Sequence, residues 1–389
     1  MPNHKLSGLR VAVAGGSIGG LCAGLALCHS GADVEIFERH PEPMETRGAG
    51  IVVQHELTEI LRRYGAPSLP TTSCSRRRYL DAQGGNGRTQ DMPQQFTSWE
   101  SIYLTLRAAF PNESYHAGAT LERFEGAGES VAADVVGHGT VTADLLVCAD
   151  GAQSETRRRL LPQVREHYAG YIAWRGTVNE AAVPEGLASF FDNTFTFSEA
   201  RSGGHILVYL IPGANADTSF GHRLINWVWY VSAHAQDLTL LLTDRHGRRH
   251  HNSLPVGGAT DESVSELRVR AKKEIHPRMA ELIEMTPAPF IQTIVDVVVP
   301  RTVFGRTCLL GDAAFVVRPH TAGATAKVAR EAMLLADFLQ EAAGDLNSAL
   351  SRFQSAQLRY GNDLHQYGVA LGSRWAAEAR RDKSGAGRD

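Results

Sequence analysis

A strand, a tight turn and an apolar helix are written into one stretch, VAVAGGSIGGL at 11–21. Val11 and Val13 sit at strand spacing, and the small and apolar residues after the turn read as a helix packed on several sides. Gly15, Ser17 and Gly20 keep the G-x-G-x-x-G spacing, with Ser17 where the second glycine belongs. Gly15 permits the turn, Gly16 and Ser17 keep the backbone approachable, Ile18 opens the helix, and Gly20 lets that helix lie against its strand. The N–H groups of such a helix start suit a pyrophosphate. A second strand, ADVEIFER, ends at Glu38, where a carboxylate can accept both hydroxyls of an adenosine ribose and repel a 2′-phosphate. Residues 9–40 therefore read as a β–α–β unit with a dinucleotide site, and the fold class as α/β.

At 389 residues the chain is too long for one ordinary core. Past 168 the character changes: YIAWRGTV, SFFDNTFTFSE, GHILVYLI and INWVWYV are aromatic and β-branched, as in an antiparallel sheet. ESVSELRVRAKKEI and PRMAELIEM read as helices, TCLLGD as a return to the parallel sheet, and 327–376 as a long helical segment. The expected division is a discontinuous nucleotide-binding domain over 1–168 and 300–376, with an inserted antiparallel-β domain over 169–299. Residues 70–100, a hairpin around GGNG, are candidates to join the inserted sheet, and 377–389 reads as a disordered tail. A net charge of −3 gives no electrostatic reason to expect nucleic acid or an anionic membrane. No apolar run is long enough to span a bilayer, and the N-terminus lacks a signal core. Five scattered cysteines without C-x-x-C argue against a metal or disulfide framework, so no metal is expected and a cytoplasmic enzyme fits.

Two further strand ends carry acids. VCADGAQSETRR places Asp150–Gly151 ahead of Ser154 and Arg157, and CLLGDAAFVVRPHTAGATAK places Gly311–Asp312 ahead of a small-residue loop. Each alone also reads as a capped helix start, because Asp is a favoured N-cap. With the glycine turn and Glu38 they form a combination that resembles the class A FAD-dependent aromatic hydroxylases, built like p-hydroxybenzoate hydroxylase. Finer features are similar to the 2,6-dihydroxypyridine 3-hydroxylase type: GIVVQ at 50–54, SIY at 101–103, YAGYIAWRG at 168–176, IPG at 211–213, TDRHGRR at 243–249, HNSL at 251–254 and RPH at 318–320.

The resemblance implies a Rossmann-like, GR2-type FAD-binding domain with an inserted substrate sheet and a C-terminal helical segment. It implies bound FAD, NADH or NADPH as transient reductant, and transfer of oxygen from a flavin hydroperoxide to a hydroxylated aromatic or N-heteroaromatic ring. Gly15 to Gly20 would take the pyrophosphate, Glu38 the ribose, and Arg39 would flank the adenine. Val53, Arg107 and Asp150 would border the cofactor, and Asp312 would hold its ribityl or pyrophosphate side. Gly323, Ala324, Thr325 and Ala326 would border the flavin ring, with Ala324 and Ala326 standing where most relatives keep glycine and asparagine. His205 and Tyr209, four apart on one strand and so on one face, match a His-x-x-x-Tyr that lines the substrate cavity in relatives resembling 6-hydroxynicotinate 3-hydroxylase. His320, after Pro319, matches a second histidine, and imidazole suits acceptance of a ring-hydroxyl proton. The bland readings are a satisfied sheet histidine, a core tyrosine and a solvated helix arginine; Trp174 and Arg175 read as packing between domains. The partners implied are a small ring substrate and O2, with a homodimer left open. The alternatives are a flavin-dependent reductase or dehydrogenase on this scaffold, and a non-catalytic flavin-binding protein.

Overall fold

The computed structural model describes residues 5–42, 50–85 and 87–385. Its first layer is a six-stranded sheet in the order Val303–Phe304, Thr307–Leu309, Leu145–Cys148, Arg10–Ala14, Asp33–Glu38, Tyr115–Ala117. All neighbours are parallel except the short edge hairpin of the first two. The glycine turn leaves the sheet from Arg10–Ala14, between the strands that end at Cys148 and Glu38. Helices Ile18–His29, His55–Arg63, Trp99–Ala109 and Ala324–Glu341 cover one face, and a three-stranded sheet over 121–143 covers the other. Ile18–His29 is buried through most of its circumference, which explains its uniformly apolar sequence. A Cβ at Gly24 would stand 2.7 Å from Ile36 Cδ1, so a glycine there lets helix and sheet meet.

The second layer is a nine-stranded sheet: Phe315–Val316, Phe290–Val298, His167–Asn179, Leu224–Ser232, His205–Ile211, Thr194–Glu199, Thr72–Leu80, Thr89–Ser98, Gly50–Val52. The 70–100 region is the expected hairpin and lies within this sheet, with Thr72 opposite Phe96. Helices Glu185–Phe191, Asp261–Glu274 and Pro277–Glu284 pack on one face around Trp227 and Trp229. The other face gathers Tyr171, Phe195, Tyr209 and Tyr230. His205–Ile211 is buried at all seven positions because both its faces are covered.

The helix Trp99–Ala109 is capped by Ser98, whose Oγ accepts from the Ser101 N–H. Two expectations change. The helical segment over 327–376 is two helices, Ala324–Glu341 and Leu346–Gly385, separated at Ala343 and Gly344, whose φ values of 48° and 102° no helix continues through. The second helix runs past 377 to Gly385, and 386–389 lie outside the described residues. Residues 43–49 likewise lie outside them. Among the described residues no helix is long and apolar enough to cross a membrane.

Candidate active site

The cofactor corner is built around backbone approach. Gly15 has φ +101°, and a Cβ there would overlap Ala149 O; one at Gly20 would overlap Gly15 O. Strand end, turn and helix are thus in mutual contact, which only glycine allows. Ser17 is the N-cap of Ile18–His29 yet makes no side-chain cap bond, which leaves the first-turn N–H groups for a ligand. Glu38 is buried; its Oε2 accepts from the Gly16 N–H at 2.7 Å and its Oε1 from the His40 N–H at 2.9 Å. Each oxygen retains a lone pair for a ribose hydroxyl. Arg39, next in sequence, is exposed. Arg107 reaches the turn indirectly: its guanidinium lies 4.2 Å over the Tyr115 ring, and Tyr115 donates to Gly16 O at 3.0 Å.

The two acid-bearing turns meet beside this corner. Asp150 spends its carboxylate on its own loop, accepting from Ser154 Oγ (2.6 Å), Thr156 Oγ1 (2.8 Å) and the Thr156 N–H (3.1 Å). The N-cap of Glu155–Leu160 is Ser154, whose Oγ accepts from the Arg157 N–H at 2.9 Å, and Asp150 braces that cap rather than being it. Arg157 then ties the two turns together, donating to Ala152 O, Asp312 O and Ala313 O. Asp312 keeps its side chain 44% exposed, toward the cleft rather than the core. Beneath it lies a cluster that sequence reasoning missed. Lys327 is fully buried, its Nζ 3.9 Å from Asp312 Oδ1 and 3.7 Å from Glu331 Oε1, with no hydrogen-bond partner. Glu331 Oε2 in turn accepts from the Gly311 N–H at 2.7 Å. Burial pushes the Glu331 carboxyl up and the Lys327 ammonium opposes this. The only sequence signal was the i, i+4 spacing of Lys327 and Glu331.

The flavin-side loop closes the corner. Ala322 adopts φ +53°, a left-handed conformation that costs an alanine energy and marks a constrained turn. Gln54 Nε2 approaches Ala322 O at 3.4 Å, and the Val53 N–H bonds to Gln95 O, so 53–54 and 322–326 face each other. Gly323 is the N-cap of Ala324–Glu341 without a side-chain cap; Thr325 and Ala326 are buried and Ala324 half-buried in its first turn. An uncapped helix start, glycines at every close approach and an orphaned ammonium by an acid fit a dinucleotide with a polar ribityl chain.

The aromatic face of the nine-stranded sheet abuts this corner. His205 and Tyr209 share that face, as their spacing requires. Gly50 donates to Asn226 Oδ1 at 3.2 Å, and a Cβ at Gly50 would stand 2.7 Å from the Tyr209 hydroxyl. Tyr230 stacks on His205 (5.0 Å between centroids) and meets His320 edge-on (5.6 Å). His320 Nε2 pairs with Gly368 O at 3.0 Å, which leaves Nδ1 as the acceptor, 3.5 Å from the Tyr171 hydroxyl. Two residues before it, the buried Arg318 forks onto the buried Asp296 and donates to the Tyr171 hydroxyl at 3.3 Å. Tyr230 thus bridges His205 and His320, and Tyr209 shares its sheet face, so the three sequence candidates fall along one aromatic wall. Tyr230, Asn226, Arg318 and Arg175 join them unforeseen.

Burial lowers the His205 pKa to about 3, helped by His320, and lowers that of His320 to about 4 against the pull of Gly368 O. Both rings are neutral near pH 7. In the unfolded chain each titrates near pH 6.5, so below that pH the unfolded state binds protons that the folded state refuses. Stability should fall as pH drops from about 6.5 toward 4, at about 1.4 kcal/mol per pH unit for each histidine. Chemical denaturation of the holoprotein at pH 7 and pH 5 should show His205→Gln losing less than the parent. Equal losses would contradict the assignment.

A parallel sheet with an open glycine turn, roofed by an aromatic-faced, mainly antiparallel sheet, is the architecture of an FAD-binding flavoprotein. A protein family described as FAD binding domain-like matches residues 168–296. The chain is 34% identical over 361 residues to 2,6-dihydroxypyridine 3-monooxygenase of Paenarthrobacter nicotinovorans, covering 91% of this chain and 88% of that one. It is 27% identical to 6-hydroxynicotinate 3-monooxygenase of Pseudomonas fluorescens over 85% and 83% of the two chains. The solved structure of 2,6-dihydroxypyridine-3-hydroxylase from Arthrobacter nicotinovorans superposes with a TM-score of 0.87 at 32% identity, covering 94% and 92%. The chain belongs to the FAD-dependent aromatic-ring monooxygenases. FAD is its cofactor, with a reduced nicotinamide as electron source.

Proposed function

We propose that this enzyme hydroxylates a hydroxylated N-heteroaromatic ring of the 2,6-dihydroxypyridine kind, with NADH or NADPH and O2. The carrying observation is the chamber itself: two neutral histidines, His205 and His320, bracket Tyr230 on a face that abuts residues 50–54 and the 318–326 loop. FAD, when bound, supplies the activated oxygen, and the protein supplies position and proton management. The Gly15–Gly20 turn and Glu38 hold its adenylate half, and Asp312 with 323–326 holds the ribityl and ring side. A ring hydroxyl displaces the long Tyr171 contact and donates to His320 Nδ1, which enriches the ring toward an electrophilic oxygen. His205 is the second acceptor, and Tyr209 orients the ring from the Gly50 side. Buried aromatic walls keep water from the reacting oxygen. The five free cysteines support a reducing, cytoplasmic setting.

The test is nicotinamide oxidation against oxygen uptake in a panel of dihydroxypyridines, hydroxynicotinates and phenols. A dihydroxypyridine should stimulate both, with hydroxylated product formed in step. His320→Ala should lower product formation by about 10²-fold while FAD stays bound. A panel in which no ring compound stimulates turnover would overturn the reading.

A further inference from the structure

Arg175 sits in the strand His167–Asn179, opposite Val228, which lies opposite Leu207. Antiparallel partners share a face, so its side chain stands with Tyr209, Tyr230, His205 and Asn226 on the chamber side. It is 7% exposed, and its Nε has no hydrogen-bond partner. No carboxylate among the described residues pairs with it. The other buried arginines of this region differ: Arg318 forks onto Asp296, and Arg157 is satisfied by three carbonyls. A diagonal neighbour adds a second donor. The Gly50 N–H fixes Asn226 Oδ1 as acceptor, which turns the buried Asn226 Nδ2 toward the Tyr209 hydroxyl.

Arg175, a full positive charge without a carboxylate, stands among phenols that cannot neutralise it. Burial raises the pKa of Tyr209 and Tyr230, and the Arg175 charge only partly offsets this, so both stay protonated near neutral pH. An unpaired buried guanidinium destabilises a fold unless an anion arrives with the ligand. We propose that Arg175 is the anion-recognising residue of the ring chamber, with Asn226 Nδ2 as its companion donor. The ligand class is an aromatic or N-heteroaromatic ring bearing an anionic oxygen, either a ring oxyanion or an exocyclic carboxylate. This rests on the ring-hydroxylase reading above and extends it: a ring oxyanion held here is the electron-rich form that accepts oxygen, so the guanidinium selects the reactive protonation state.

Ligand titration of the holoprotein, followed by the flavin absorbance change, tests it. In one arm 4-nitrophenol is compared with its neutral isostere 4-nitroaniline; in the other, 6-hydroxynicotinate is compared with 6-hydroxynicotinamide. The parent should bind the anion about tenfold or more tightly in at least one arm, and the preferred arm identifies the anion. Its affinity for 4-nitrophenol should rise as pH carries that ligand through its own ionisation. Arg175→Met should erase the preference while binding of the neutral isostere and FAD content hold within about twofold, and Arg175→Lys should keep part of it. Equal loss for anion and neutral isostere, or a preference that survives Arg175→Met, would overturn the proposal. Should Arg175→Met fail to fold, a parent with no anion preference in either arm and no pH dependence would overturn it equally. A parent holoprotein that binds none of the four rings would instead count against the ring-hydroxylase reading itself.

Discussion

Gly20→Val should give a protein that cannot hold FAD. A Cβ at this position already overlaps Gly15 O, so valine must push the helix Ile18–His29 away from the strand it leaves. Overpacking of this kind costs about 1–3 kcal/mol in a core, and here the displaced element is the one whose first-turn N–H groups meet the pyrophosphate. Flavin content, read by visible absorbance after purification, should drop below about a tenth of the parent's. Gly126→Ala is the control, because a Cβ there meets nothing within 4 Å. A Gly20→Val protein with full flavin content would show that the turn is not the seat of the cofactor.

Asp296→Ala should cost about 3–5 kcal/mol of stability, the penalty for leaving one member of a buried ion pair without its partner. Arg318 donates to Asp296 through Nε at 3.0 and 3.1 Å and through Nη2 at 2.6 Å, with both residues buried. The pair anchors Phe290–Val298 to the segment that carries Pro319 and His320, so its loss also loosens the chamber wall. The urea midpoint should fall with the m-value unchanged. Asp296→Ala combined with Arg318→Met should recover part of the loss, because the second change removes the stranded charge. An unchanged midpoint in the single variant would mean that the pair is idle.

What the sequence disclosed and what it withheld follow the distance over which each feature is determined. The glycine turn and Glu38 were legible because a turn, a helix start and a strand end are local. The pairing of His205 with Tyr209 on one face needed only strand periodicity. The aromatic face needed register: Gly50–Val52 and Phe315–Val316 join one sheet from distant parts of the chain, and no local pattern announces that. Arg175 was read as packing because YIAWRG looks like an apolar strand; only its pairing opposite Val228 turns it toward the chamber. Lys327 gives no local signal of its place, since a lysine in sequence usually means solvent. In the fold it is fully buried under the Gly311–Asp312 turn. Asp150 reads in sequence as a helix cap, but Ser154 takes that place and Asp150 braces it through Ser154 and Thr156, a division of roles set only by the folded loop.

The central claim is that FAD gripped by the glycine turn delivers one atom of O2 to a ring held in the chamber beside it. Turnover of a dihydroxypyridine under isotopically labelled O2, with mass analysis of the product, tests this most directly. Each hydroxylated ring should carry one labelled oxygen and none acquired from labelled water. Consumption of reduced nicotinamide with an unlabelled product, or with label entering only from water, would contradict it.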